Sequence, residues 1–180
     1  MRIIAGKFGG RIIKAPSGNR THPMSEKARG GIFNSLGDIT DFTVLDAFAG
    51  SGALGFEALS RGASYAQLCD YDKNAYQALS DNMVSLQLDE TTCSVSRTYI
   101  KSWLNRHRVQ FDLVICDPPY NDLQAPTIEK LEAAVKPGGY MILSWPKLAD
   151  AMTFKHLIQT DRYDYGDAIV YFFKNPNDYT

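Results

Sequence analysis

Ten residues, Asp46-Ala47-Phe48-Ala49-Gly50-Ser51-Gly52-Ala53-Leu54-Gly55, restrict this chain more than any other stretch. An apolar β-type run, Val44–Ala47, leads into them, and a stretch with helical spacing, Ala53–Arg61, leads out. Gly50, Gly52 and Gly55 match G-x-G-x-x-G, in which the glycines permit a tight strand-to-helix turn, close approach of the backbone to a ligand, and close packing of the helix on its strand. A turn of that kind commits its neighbourhood to a βαβ unit.

The rest of the chain agrees. Tyr65–Asp70, Cys93–Ser96, Leu113–Cys116, Tyr140–Ser144 and Ala168–Lys174 read as further strands, and Lys73–Leu86, Ile100–Arg106, Thr127–Val135 and Lys147–Ile158 as helices. Alternation of this kind, with right-handed crossovers, predicts a doubly wound α/β fold: a mainly parallel sheet with helices on both faces and an antiparallel last strand. Ligands of such sheets bind beyond the carboxyl ends of the strands, near the point where strand order reverses. The 180 residues suit one compact domain with a small appendage.

That appendage is residues 1–37, ahead of a body spanning 38–180. Arg2–Ala5 and Arg11–Lys14 flank a glycine-rich turn and predict a β-hairpin, and Ser25 is placed to cap a helix carrying Ala28, Ile32, Phe33 and Leu36. Residues 1–36 hold Arg2, Lys7, Arg11, Lys14, Arg20, Lys27 and Arg29 against Glu26 alone, whereas the remainder has twelve basic and nineteen acidic side chains. A basic arm on an acidic body predicts a polyanion partner, with Arg2, Lys7, Arg11, Arg20, Lys27 and Arg29 as its nucleic-acid contacts. No apolar stretch is long enough to span a membrane, and the amino terminus lacks a signal-peptide pattern, so a cytoplasmic protein without a membrane partner is expected. Cys69, Cys93 and Cys116 lie in or beside β-type runs without metal-ligand spacing, which predicts reduced buried thiols and no metal.

Two carboxylates flank the glycine loop. Asp70, at the end of the second strand, suits the ribose hydroxyls of an adenosine, while Asp72 suits the cap of the next helix. Asp46 would repel a pyrophosphate, which argues against a nicotinamide cofactor, and favours a ligand carrying ammonium and sulfonium cations, as S-adenosylmethionine does. The fourth strand runs into Asp117-Pro118-Pro119-Tyr120. Two prolines make that turn rigid. A carboxylate at Asp117 and the Pro118 carbonyl could then accept both protons of an exocyclic amino group, freeing its lone pair for attack on a methyl group, while Tyr120 offers a face to an unstacked base. An adenine-N6 methyltransferase on DNA or RNA fits this turn equally well. A catalytically silent RNA-binding protein keeps the fold but leaves the turn unexplained.

Asp46–Gly55 together with Asp117–Tyr120 resembles the class I S-adenosylmethionine-dependent methyltransferases that modify exocyclic amino groups. Arg2-Ile3-Ile4-Ala5-Gly6, Gly10-Arg11, Thr21–Arg29, Ile32–Leu36 and Phe48–Ala63 extend the likeness to the bacterial family that methylates guanine N2 at position 966 of 16S ribosomal RNA. The resemblance implies a Rossmann-like seven-stranded sheet, S-adenosyl-L-methionine as cofactor, and 16S ribosomal RNA as substrate, within a small-subunit assembly particle, for a monomeric enzyme. It also implies cofactor contacts from Asp46, Phe48, Gly50, Ser51, Gly52, Leu54, Gly55, Asp70, Tyr71 and Asp117, and catalytic roles for Asp117, Pro118 and Tyr120. The chain departs from the family pattern at His22-Pro23-Met24, at Gly30, and at Ser96-Arg97-Thr98-Tyr99 where the adenine is expected.

Overall fold

A computed structural model of the chain describes residues 1–18 and 24–176. Its strands, β1 (Thr43–Asp46), β2 (Tyr65–Asp70), β3 (Cys93–Arg97), β4 (Phe111–Cys116), β5 (Val135–Pro146), β6 (Ile158–Asp164) and β7 (Ala168–Lys174), form one sheet in the order β3-β2-β1-β4-β5-β7-β6. Only β7 pairs antiparallel, with β5 and β6 on either side. Strand order reverses between β1 and β4, whose register sets Asp46 beside Ile115 and so brings the loops after both strands to one place.

Alternation along each central strand explains the two layers. Val44, Leu113 and Ile115 point to one face, where they pack with Ile32 and Phe33 of α1 (Glu26–Leu36), Phe56 of α2 (Ala53–Ser60) and Leu79 of α3 (Lys73–Ser85). Leu45, Val114 and Cys116 point to the other, against Ile100 and Trp103 of α4 (Ile100–Arg106) and Ile128 and Leu131 of α5 (Ala125–Leu131). Strands covered on both sides are expected to be nearly continuous in apolar residues. Each fully buried Leu, Ile or Phe contributes about 1.5–3 kcal/mol. Cys69, Cys93 and Cys116 are free and buried within this core, and burial pushes the Cys69 and Cys93 thiols up to about 12.

The arm is tied to the body rather than hung beside it. Ile3, Phe8 and Ile13 belong to the same core as α1, α2 and α3. Buried Glu57 of α2 accepts from the amides of Ile4 (2.7 Å) and Ala5 (3.2 Å) and from Arg61 Nε (2.7 Å). Ser60 receives the Lys7 amide at its carbonyl and the Phe8 amide at Oγ. Gly6 sits at φ 79°, where a Cβ would lie 1.8 Å from the Ser60 carbonyl oxygen, so only glycine passes here. The expected hairpin contracts to a single antiparallel bridge, Arg2↔Ile12, because the amides of Ile4, Ala5 and Lys14 bond to Glu57 and Asn82 instead of to a partner strand. Ser25 caps α1, accepting from the Ala28 amide at 3.1 Å.

Lys147–Ile158 is not a helix. Of this stretch only Leu157 is buried, Leu148 is fully exposed, and Glu132 Oε1 ties down the amides of His156 and Leu157. The strand that follows, β6, escapes a reading of hydrophobic pattern because it is an edge strand exposed along its whole length. Trp145 lies in the core and donates from Nε1 to the Asp150 carbonyl. Among the described residues no helix is long and apolar enough to cross a membrane.

Candidate active site

At the carboxyl ends of β1, β2 and β4 lies a cavity of about 740 Å³. Phe48, Gly50, Asp70, Tyr71 and Asp117 line it, as do Thr98, Tyr99 and Asn121. Gly50 and Gly52 adopt φ 55° and 80°, and Gly52 caps α2 in the left-handed conformation, so the loop turns sharply enough to leave its backbone facing the cavity. The remaining loop residues serve the turn from behind. A Cβ on Gly55 would lie 2.2 Å from Leu68, one on Gly52 would collide with Phe56 and Leu79, Leu54 is a core residue, and the Ser51 carbonyl accepts from Asn82 Nδ2. These four residues support the wall without forming its surface.

Asp70 holds the loop and faces the cavity together. Its Oδ2 accepts from the Gly50 amide and its Oδ1 from the Asp72 amide, both at 2.9 Å, and burial raises its pKa. Asp72 caps α3 through the amides of Asn74 and Ala75. Beyond Asp70 the rings of Tyr71 and Tyr99 stack with centroids 4.7 Å apart and planes at 7°. Tyr99 and Thr98, at the position where the sequence departs from its family, thus enclose the end of the cavity nearest Asp70.

Asp46 lies under the floor. It is 1% exposed, Oδ2 accepts from the Gly55 amide at 3.1 Å, and Oδ1 is buried without a hydrogen-bond partner. Burial pushes this carboxyl up to about 7, and Asp117 and Asp70 push it in the same direction. Three neighbouring carboxylates with an orphaned oxygen among them make a place where a cationic ligand is favoured and a phosphate is not. Asp46, Asp70 and the Gly50 loop therefore fit a cofactor that is adenosine at one end and positively charged at the other. Among the described residues no cluster of His, Cys, Asp and Glu is arranged to hold a metal ion.

Asp117 also lines a second cavity, of about 420 Å³, on the far side of the Asp117–Tyr120 turn. Pro118, Tyr120, Ser144 and Tyr165 form part of its wall. Burial pushes the Asp117 carboxyl up to about 6, while a hydrogen bond from Ser144 pulls the other way. The β4–β5 register, Cys116↔Leu143, sets Ser144 beside Asp117, and the Ser144 and Tyr120 hydroxyl oxygens are 3.0 Å apart. With the Ser144 proton given to Asp117, Tyr120 donates to Ser144, and its ring is held at the cavity mouth. No hydrogen bond among the described residues uses the Pro118 carbonyl. Ser144 carries no signal in the sequence beyond its place near the end of a predicted strand.

The arm's predicted contacts divide. Arg2, Lys7, Arg11 and Lys27 are exposed. Arg29, expected to contact nucleic acid, does not reach the surface: it is 1% exposed, its Nη atoms donate to the carbonyls of Met24 and Arg2, which fixes the arm on α1, and its Nε is buried out of reach of a polyanion. Arg20 and the departures at His22 and Pro23 fall outside the described residues.

Residues 1–174 match the family described as Conserved hypothetical protein 95. The chain is similar to YlbH of Bacillus subtilis (strain 168), provisionally named an rRNA methyltransferase, with 37% identity over 126 residues, 68% of each protein. It is 37% identical over 134 residues to ribosomal RNA small subunit methyltransferase D of Escherichia coli (strain K12), which covers 73% of this chain and 67% of the relative. Among solved structures, the Escherichia coli protein yhhF, provisionally named a methyltransferase, superposes with a TM-score of 0.88 over 99% of both chains at 27% identity.

Proposed function

The chain belongs to the Conserved hypothetical protein 95 family, and on that footing we propose that it is a small-subunit ribosomal RNA methyltransferase that uses S-adenosyl-L-methionine to methylate the exocyclic N2 of a guanine in 16S rRNA, the position-966 type, in an assembling particle. The observation that carries this reading is that Asp117 lines both cavities, one fitted to the cofactor and one roomy enough for an unstacked base. The cofactor supplies an electrophilic methyl group on a sulfonium centre when bound.

This chain's residues do the rest. Asp70 receives the ribose hydroxyls, the Tyr71–Tyr99 end receives the adenine, and the negative potential of Asp46 favours the cationic end. On the other side the Asp117 carboxylate and the Pro118 carbonyl accept the two N2–H bonds, which turns the nitrogen lone pair out of conjugation and toward the first cavity. Tyr120, held by Ser144, covers a face of the base. When N2 takes the methyl group and the methyl's bond to sulfur breaks, leaving a neutral thioether, the surplus N2 proton would pass to the Asp117 carboxylate, whose raised pKa suits it to receive that proton.

The test is to incubate the full chain with methyl-labelled S-adenosylmethionine and small-subunit RNA or particles from cells lacking the enzyme, then digest the RNA and identify the labelled nucleoside. N2-methylguanosine is expected; label only in N6-methyladenosine would replace the substrate assignment while keeping the Asp117 chemistry.

A further inference from the structure

From Thr91 to Phe111 the chain has no carboxylate, yet it carries Arg97, Lys101, Arg106 and Arg108. All four are exposed. The segment takes in edge strand β3 and α4 and ends at the start of β4. Ile100 and Trp103 turn α4's apolar side into the core, so Lys101, Ser102, Asn105 and Arg106 are left facing solvent. Several cations elsewhere on the molecule meet a carboxylate of their own chain: Arg2 pairs with Glu26, Lys14 with Asp81, Lys136 with Asp112 and Lys147 with Asp164. Among the described residues, Arg97, Lys101 and Arg108 have neither an ion pair nor a side-chain hydrogen bond, and Arg106 bonds only to neutral oxygens of Thr98 and Ser102.

Uncompensated, exposed cations on a protein of net charge −1 mark a place built for an anion too large to be enclosed. Two facts select a nucleic-acid backbone. The patch borders the cofactor cavity through Thr98 and Tyr99, and Tyr99 is 58% exposed, so an aromatic face stands within the basic surface. Arg97 ends β3, three strand spacings from β4, which places it roughly 14 Å from the end of the strand that bears Asp117. An RNA whose base enters the second cavity, on the β5 and β7 side of Asp117, reaches this edge by crossing the mouth of the cofactor cavity, a span of a few nucleotides.

We infer that the β3–α4 edge is a second RNA-docking surface, in which Arg97, Lys101 and Arg108 hold phosphates of the rRNA a few nucleotides from the reacting base. It rests on the rRNA reading above. The arm and α4 cover opposite faces of the sheet, so the substrate is gripped from both sides of the catalytic edge.

The test compares wild type with R97S/K101S/R108S. Arg106 is left in place because its Nη2 supports Thr98 at the cavity rim. Binding to 16S rRNA is measured across a salt titration, with KM and kcat for methyl transfer and the affinity for S-adenosylmethionine. The triple variant is expected to lose about 2 in the slope of log K against log salt, to bind roughly 10- to 100-fold more weakly at physiological salt, and to show the loss in KM rather than kcat. Its cofactor affinity and melting temperature stay at the wild-type level. The charge-preserving R97K/K101R/R108K restores the slope. A triple variant with wild-type slope and KM overturns the inference and leaves the rRNA assignment intact; a wild type that neither binds nor methylates rRNA overturns both.

Discussion

The amino-terminal arm and the segment from Arg97 to Arg108 are both rich in cations, and they use them in opposite ways. In the arm, Arg29 is buried among carbonyls, Arg2 meets Glu26, Lys14 meets Asp81, and Arg11 donates to the Ser85 carbonyl. Around α4 most of the charge is left open to solvent. A count of charges along the sequence points to the arm, because the arm has the larger excess. The structure shows how many of those cations hold the arm on α1 and α3, which among the described residues leaves Lys7 and Lys27 for a partner. Charge that builds a fold and charge that binds a ligand are told apart by what the far end of each side chain touches.

The sharpest way to break this contrast is to attack the arm's anchor. Glu57→Ala removes the acceptor for two amides and for Arg61 in a fully buried site, and urea unfolding should show a loss of about 3–5 kcal/mol. Arg29→Met leaves two carbonyls without their donor and should cost about 2–3 kcal/mol while leaving the salt slope of rRNA binding unchanged. A lowered slope in folded Arg29→Met would return Arg29 to the RNA interface.

Proton linkage probes the third region, where carboxylates rather than cations are concentrated. Asp46 and Asp117 titrate near 4 when unfolded and at about 7 and about 6 when folded. Between those limits the native state binds more protons than the unfolded chain, so the stability of the cofactor-free protein should fall as pH rises from about 4 to about 7. A cationic ligand favours the ionised carboxylates, so calorimetry near pH 6 in two buffers of different ionisation enthalpy should report proton release on binding S-adenosylmethionine. Ser144→Ala is expected to act more gently. Losing the bond to Asp117 moves the acid limb of the rate profile upward in pH and lowers kcat by a few-fold, whereas a merely structural Ser144 would leave the limb where it was. Smallest are Lys7→Gln and Lys27→Gln, each of which should lower the salt slope by about 0.7.

Legibility of the sequence followed the strength of local constraint. The glycine loop and the Asp117–Tyr120 turn could be placed because glycine and proline dictate backbone geometry on their own, and the Ser25 and Asp72 caps because each satisfies amides of the helix it begins. The family resemblance alone puts Thr98 and Tyr99 near the adenine; nothing in the residues themselves does, since only the β2–β3 register brings them to Asp70 and Tyr71. Ser144 was hidden for the same reason, its place beside Asp117 being set across β4 and β5. Arg29 looked like a surface cation because nothing local announces that a guanidinium will find carbonyls of the arm. The stretch before β6 imitated a helix in spacing, and β6 itself, polar and at an edge, left no apolar alternation to read.

The central claim is that Asp117 joins a cofactor cavity to a base cavity. Asp117→Ala, compared with wild type for calorimetric binding of S-adenosylmethionine and for single-turnover methyl transfer to small-subunit rRNA, tests it most directly. Binding within a few-fold of wild type and transfer slowed by roughly 100- to 1,000-fold is the expected pair of results. Transfer at the wild-type rate with the variant folded and loaded would contradict it.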